Sequence, residues 1–448
     1  MPDHATPAEI FRPRPAAPPP PNTIGVAGWL RANLFSSIPN TLLTLVGAWI
    51  LYVVVDAVLG WAVFNAVWDA PNRRACLDQV GRAGACWPGV IAWIPNLIYG
   101  LYPKDEVWRI NLGAALLVLW AVPLWLPAVR SKVAIGLSLV LLFPFLASYL
   151  FLGGTKGPVW AALVALGLSG LLWTWLTVVT EWRTGLSFVA LVARVLGGPE
   201  PDAPRARWVA RLTWAALYAT AFVLVWGWEL RPVPTQVWGG LFLTLVISGI
   251  GITFSLPAGV LLALGRRSRM PLIRAFCVAF IELFRSVPLI TILFMFNTML
   301  PLFLPAGVEV DRLLRAIVAV CLFAAAYMAE VVRGGLQAIP KGQYEAAAAM
   351  GLGYWQSMTL VILPQALKIM IPTIVGNFIG LFKDTTLVSI IGLLDLLSMA
   401  RAVGEDSTWL GLFIEPFFFI TLIYFVFCFA MSQYSMNLER RLGAGQRR

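Results

Sequence analysis

The chain has 448 residues, 59% of them hydrophobic and 12% charged, with a mean hydropathy of +0.80, values that exclude an ordinary soluble globular domain. Its 33 Lys and Arg against 22 Asp and Glu give a formal charge of +11; in so apolar a chain the excess points to basic loops beside an anionic lipid bilayer, with no nucleic acid as partner. The single histidine, His4, leaves no material for a histidine metal site or a Ser-His-Asp relay, so neither a bound metal nor hydrolytic chemistry is expected.

Residues 1–40 read as a disordered, Pro-rich cytoplasmic leader: the first 22 hold eight prolines and no apolar core of the signal-peptide kind. Crossing a hydrocarbon core about 30 Å thick takes roughly 20 apolar residues in a helix. Segments of that kind fall near 41–63, 110–128, 133–152, 158–180 and 211–228, then 238–264, 287–303, 316–334, 366–382 and 411–435. Ten spans place both termini on one side. With that side inside, the inner segments hold 22 of the 33 Lys and Arg, which favours both termini cytoplasmic. Trp108, Trp182 and Trp238 near segment ends fit an interfacial aromatic belt. Asp56, inside the first span, needs a neighbouring helix or a snorkelling path to water.

The five-span extension 41–230 contains a polar loop, 64–110, expected in the periplasm. There Cys76 and Cys86 form a candidate disulfide, whereas Cys277, Cys321 and Cys428 lie in apolar stretches and read as packing. The stretch 197–211 (GGPEPDAPRARWVAR) resembles a cytoplasmic linker, and the module boundary is placed near 230. In the second half, Ser255 and Gly259 form a small-x-x-x-small pair that permits close helix packing. Residues 271–284 read as an amphipathic cytoplasmic helix, and Arg285 and Pro288 mark the start of the next span with no further role.

The informative stretch is 327–372, YMAEVVRGGLQAIPKGQYEAAAAMGLGYWQSMTLVILPQALKIMIP. Its periodicity predicts a helix ending near Gly334 and Gly335 and a turn at Pro340, Lys341 and Gly342. A short Ala-rich helix over Gln343–Met350 is then broken by Gly351, and a second short helix from Trp355 stops before Pro364. Alanines 346–349 leave a thin surface over which another protein can come close, and Glu345 stands in the first turn, where a carboxylate is favoured. From composition alone this is equally an ordinary loop with a helical turn. Glu330 and Arg333, three apart on one helix, can pair within it and orient the loop.

EAAAAMGLG at 345–353 followed by ILP at 362–364 resembles the EAA loop of binding-protein-dependent ABC permeases. LFRSVPLI at 283–290, LPQALK at 363–368 and LFKDTTLVSI at 381–390 resemble the polar amino-acid permeases of the histidine, glutamine and arginine type, over roughly 235–440. The five-helix extension resembles the long permease subunit of general L-amino-acid systems. The resemblance implies an all-α polytopic membrane protein in a bacterial inner membrane, with a type I ABC importer permease core over 231–448. It implies ATPase coupling through Glu345, Ala346, Ala347, Gly351 and Pro364 in the loop 334–365, with Glu330, Arg333 and Gly342 in support. The implied partners are a second permease subunit, a cytoplasmic ABC ATPase dimer and a periplasmic amino-acid-binding protein. The chain itself is expected to bind no cofactor and to be no enzyme, since it lacks a Walker A sequence and its nearest look-alike, Gly153-Gly154-Thr155-Lys156, has the wrong spacing.

Asn377, Lys383, Asp384, Thr385 and Ser389 are candidates for the substrate path, because ionisable groups near a span are costly and default to function. A Lys-Asp pair capping a helix at the interface is the plainer reading. An ion-coupled secondary amino-acid transporter is the alternative function, and would need paired acids or broken helices in both halves. A membrane enzyme would need clustered carboxylates or histidines, which Asp105 and Glu106 alone do not supply.

Overall fold

A computed structural model describes residues 25–443 except Arg82, Ala128, Thr155, Lys156, residues 196–203, Trp228 and Ala306. His4, the eight prolines of residues 1–22, the Thr155-Lys156 pair and residues 197–203 of the linker therefore lie outside the described residues. The chain divides into two compact units, Met1–Pro88 and Gly89–Arg448. Among the described residues nine helices are long and apolar enough to cross a membrane, and up to ten if one bent pair counts as a span. The molecule is an all-α polytopic membrane protein.

In the first unit, helices α1 (Gly25–Asn33) and α2 (Ile38–Leu59) occupy the part of the leader expected to be disordered; Ser37 caps α2 by accepting from the Asn40 N–H. None of α2 is buried, as befits an apolar helix whose solvent is lipid, and Asp56 is exposed on it. Past a π-helical turn over Gly60–Phe64, helix α3 (Arg73–Val80) is started by Asn72, whose side chain accepts from the Ala75 N–H at 2.9 Å. Val67 and Ala85 join the ends of this loop by a 2.8 Å backbone bond, and a disulfide links Cys76 to Cys86 with their Cα atoms 5.9 Å apart.

The second unit takes in helix α4 (Trp87–Tyr99) from Gly89 onward, then α5 (Val107–Trp125), α6 (Lys132–Leu152), α7 (Gly157–Thr184), α8 (Phe188–Val195) and α9 (Pro204–Trp226). Arg207 and Arg211, assigned to the linker, are helical, since α9 starts well before the expected span at 211. Within the expected periplasmic loop, Leu101 N–H donates to Val237 O at 3.1 Å, and Tyr102 packs in a buried cluster with Phe242 and Trp238. Trp238 is thus no interfacial belt residue: it is 5% exposed and meets Phe151 edge-on.

The remaining helices are α10 (Gly240–Arg266), α11 (Pro271–Ser286), α12 (Leu289–Thr298), α13 (Arg312–Ala338), α14 (Lys341–Ala349), α15 (Tyr354–Gln356), α16 (Leu363–Asp384), α17 (Leu396–Glu405) and α18 (Ile414–Gly443). The span expected at 287–303 is only ten residues of helix, set at 105° to α11. Pro288 explains the break: it forces the preceding Val287 into extended backbone (φ −104°, ψ 132°), which no helix can absorb. Helix α13 is the central post, with Ala325, Ala326, Met328, Ala329 and Val332 at 1% exposure or less. Ser255 and Gly259 of α10 are used for packing, with Gly259 directly beneath Met328.

Two expected helix ends are absent. Helix α13 runs past Gly334 and Gly335 to Ala338, because α16 crosses so closely there that a Cβ on Gly335 would stand 2.7 Å from Ala366 O. Pro364 does not end the second short helix either. A π-helical segment, Ser357–Ile362, precedes it and widens the turn into which the proline ring would otherwise collide, so the helix continues into α16.

Candidate functional site

The Ala-rich helix forms, from Lys341 to Ala349. Lys341 and Gly342, expected in the turn, are already helical because Pro340 is the N-cap, so Glu345 falls beyond the first turn. The helix's termination is built from local chemistry. Gly351 takes φ +71°, Leu352 N–H donates to Ala347 O at 3.2 Å and Gly351 N–H to Ala348 O at 3.0 Å, so a glycine-terminated cap satisfies carbonyls the helix would leave open. One face of α14 looks outward: Gly342, Glu345 and Ala346 are exposed. Ala347 departs from the expected contact set, since at 4% exposure it packs against its own protein. Helix phase is the reason, as Tyr344 and Ala347, three apart, share the inward face. Pro364 is exposed at the start of α16 rather than in α14.

Three contacts tie α14 to the bundle. The Tyr344 hydroxyl donates to Leu336 O at 3.0 Å and accepts from Arg267 Nη1 at 3.1 Å, with the Arg267 guanidinium 5.5 Å from the ring centroid. Gln365 Nε2 of α16 donates to Gln343 Oε1 at 3.1 Å. Ala347 supplies the third by close packing. Met350, Tyr354, Trp355 and Leu360, all more than half exposed, border the outward face.

Beside this loop lies an ion network centred on Glu330. The expected Glu330–Arg333 pair is present, with Arg333 Nε and Nη2 both 2.8 Å from Oε2. Arg266 Nη1 lies 2.7 Å from Glu330 Oε1 and 3.1 Å from Glu282 Oε1. Arg285, read from the sequence only as the start of a span, has Nη1 3.9 Å from Glu330 Oε2 and its guanidinium 5.6 Å from the Tyr327 ring centroid. One carboxylate thereby gathers α10, α11 and α13. Sequence reading missed Arg266 and Arg267 by counting them only toward orientation; the available signal was an acid inside an apolar span with a single local counter-charge.

The candidate path residues gather at the end of α16. Asn377 and Asp384, seven apart, lie on one face, and Asn377 Nδ2 donates to Thr373 O at 3.0 Å. Thr385, Thr386 and Ser389 donate to Phe382, Lys383 and Thr386 carbonyls at 2.7, 2.9 and 2.8 Å, so their hydroxyls first serve the tightening 3-10 turn over Thr385–Ile391. Lys383 is exposed. Close by in sequence, and overlooked there, Asp395 is fully buried and caps α17, accepting from Leu397 N–H at 3.1 Å and Ser398 N–H at 3.0 Å. Burial pushes its carboxyl above the ordinary Asp range, against the pull of the Ser398 and Leu397 bonds and of Arg401. Among the described residues no group of three or more His, Cys, Asp and Glu side chains is placed to hold a metal ion.

Residues 255–444 match the family described as binding-protein-dependent transport system inner membrane component. Over 434 residues the chain is 41% identical to the inner membrane amino-acid ABC transporter permease protein YhdY of Escherichia coli K12, covering 97% of each. It is likewise 41% identical over 444 residues to the glutamate/glutamine/aspartate/asparagine transport system permease protein BztC of Rhodobacter capsulatus, again with 97% of each covered. The glutamate/aspartate import permease protein GltK of Escherichia coli is 37% identical over 207 residues, 45% of this chain and 91% of that one. Among solved structures, the crystal structure of an amino acid ABC transporter with histidines is 31% identical, covers 44% of this chain and 90% of that chain, and superposes with a TM-score of 0.40.

Proposed function

We propose, from the premise that this chain belongs to the amino-acid ABC transporter permeases, that it forms part of the path of an ATP-driven amino-acid importer and receives its drive from a separate ATPase through α14. The observation that carries this reading is the outward face of α14. A helix with Glu345 and Ala346 exposed, closed by a glycine cap and braced from behind by Tyr344 and Gln343, is a rigid knob offered to another protein. Pushing on such a knob moves helices, whereas pushing on an unbraced loop only deforms the loop.

On this reading residues 231–448 are the permease core and 41–230 an extension, a division supported by the family match, which falls entirely in the second half at 255–444. Both termini lie in the cytoplasm with α14, and the Cys76–Cys86 loop lies in the periplasm. Asn377, Lys383, Asp384, Thr385 and Ser389 then stand at the end of α16 away from α14, where substrate arrives. The other participants are a second permease subunit, an ABC ATPase dimer and a periplasmic binding protein. The names of BztC and GltK make glutamate, aspartate and their amides the first substrates to assay. Because the relatives are named as ABC permeases, an ion-coupled secondary transporter is set aside.

The test is uptake of labelled glutamate, glutamine and arginine by cells with and without this chain, together with purification of the tagged chain from membranes. Uptake that depends on the chain, and an ATP-binding subunit retained through purification, are expected. Unchanged uptake, or hydrolysis-independent uptake driven by an ion gradient, overturns the reading.

A further inference from the structure

We propose that Tyr344 and Arg267 are positioning residues that convert displacement of α14 into displacement of the α10 end and, through Glu330, of α11 and α13; this rests on the coupling role of α14 proposed above. The geometry is a chain of short contacts across four helices. Tyr344 OH holds Leu336 O, one of the last carbonyls of α13, at 3.0 Å, so the same hydroxyl that fixes α14 also fills a helix-terminal acceptor. Arg267 holds that hydroxyl at 3.1 Å and stacks on the ring. Arg267 is the C-cap residue of α10, and its neighbour Arg266 grips Glu330 of α13 at 2.7 Å and Glu282 of α11 at 3.1 Å.

Two consecutive arginines at one helix end therefore reach in different directions, one to the knob and one to the post. A guanidinium offers several donors in a fixed plane, which allows Arg266 to hold two carboxylates on different helices at once. Tyr344 sits on the inward face of α14 and packs against the buried cluster around Leu336, Ile339 and Ile362, so its ring cannot swing free when α14 is pushed. Gln343–Gln365 is the only other polar tie described between α14 and the bundle, and it leads to α16. Movement of α14 thus has two polar outlets beside the packing of Ala347, and the Tyr344 outlet reaches α10, α11 and α13 together.

The experiment uses the complete complex in liposomes and reads amino acid transported per ATP hydrolysed. Tyr344→Phe removes only the hydroxyl and keeps the ring. Expected are unchanged ATPase association and hydrolysis with transport per ATP reduced about fivefold, the scale of one lost hydrogen bond. Arg267→Gln should give a similar loss, Arg267→Lys should restore part of it by keeping the charge over the ring, and the Tyr344→Phe/Arg267→Gln pair should lose less than the product of the two single effects. Wild-type transport per ATP in both single variants overturns the proposal while leaving the role of α14 intact. Equal loss of association, hydrolysis and transport overturns it as well, because that is the signature of a merely structural residue. If the unsubstituted chain retains no ATPase subunit, it is the coupling reading that fails.

Discussion

Arg266 and Glu330 stand 2.7 Å apart on different helices, one at the end of α10 and the other about five turns along α13, and this pair decides how the loop-bearing end of the bundle is held. The carboxylate is shared: Arg333 occupies its second oxygen from within α13, and Arg285 approaches from α11. Removing the acid leaves three guanidiniums facing one another, with only the more exposed Glu282, beside Arg266, as counter-charge. Glu330→Gln should therefore destabilise the protein by about 1–2 kcal/mol, a range that discounts the full buried-pair penalty for partial exposure of the arginines. Arg285→Gln should cost much less. Thermal unfolding of the purified protein in detergent checks the order.

Glu345 is exposed on the outward face of α14, and among the described residues its side chain makes no hydrogen bond or ion pair. Glu345→Lys should leave membrane insertion and thermal midpoint unchanged while abolishing uptake and weakening ATPase co-purification. Normal uptake by this variant would remove the coupling assignment.

Asp395 provides a pH signature. Its carboxyl is pushed above the ordinary Asp value in the folded protein by burial. The folded state accordingly binds the proton more tightly than the unfolded chain, and this group's contribution to stability falls as pH rises from the unfolded value, about 3.9, through the raised folded one. Asp395→Asn keeps an acceptor for the Leu397 and Ser398 N–H groups and removes the charge. It should gain thermal midpoint relative to the parent at pH 7.5 more than at pH 4, and a larger gain at pH 4 would contradict the assignment.

The Cys76–Cys86 disulfide joins two positions ten apart in sequence. A membrane-impermeant maleimide applied to spheroplasts should label this loop only after reduction, whereas Cys277, Cys321 and Cys428 react only once the bundle is denatured. Labelling from the cytoplasmic side alone would reverse the orientation proposed here.

Gly335 faces Ala366 O so closely that a Cβ would meet it at 2.7 Å. Gly335→Leu should force α13 and α16 apart at a cost of about 1–3 kcal/mol. Gly351→Leu acts differently, straining a left-handed backbone by about 1–2 kcal/mol and fraying only α14. Proteolysis of the 350–356 loop should increase in the second variant and not in the first.

Membrane residence, the long spans, the Ala-rich helix and its glycine stop were legible because each follows from properties read within about 20 consecutive residues: hydropathy, period and backbone preference. The Glu330–Arg333 pair was legible for the same reason, being three residues apart on one helix. Where local rules were applied across a tertiary contact they misread the protein. Gly334 and Gly335 resemble a helix end and are a helix crossing; Pro364 resembles a stop and is absorbed by a π-helical turn; Trp238 resembles a belt residue and is buried on Phe151.

Taken alone, the sequence determined that this chain lives in a bilayer as helices and carries a short alanine-lined helix between two of them, because the cost of bare backbone in lipid leaves helices as the solution for such apolar runs. Only the tertiary structure decided which face of that helix looks outward, that Ala347 looks inward, and that the same glutamate also collects arginines from α10 and α11. Those outcomes depend on helix phase and on partners more than 40 residues away, and neither leaves a mark in the local pattern of residues.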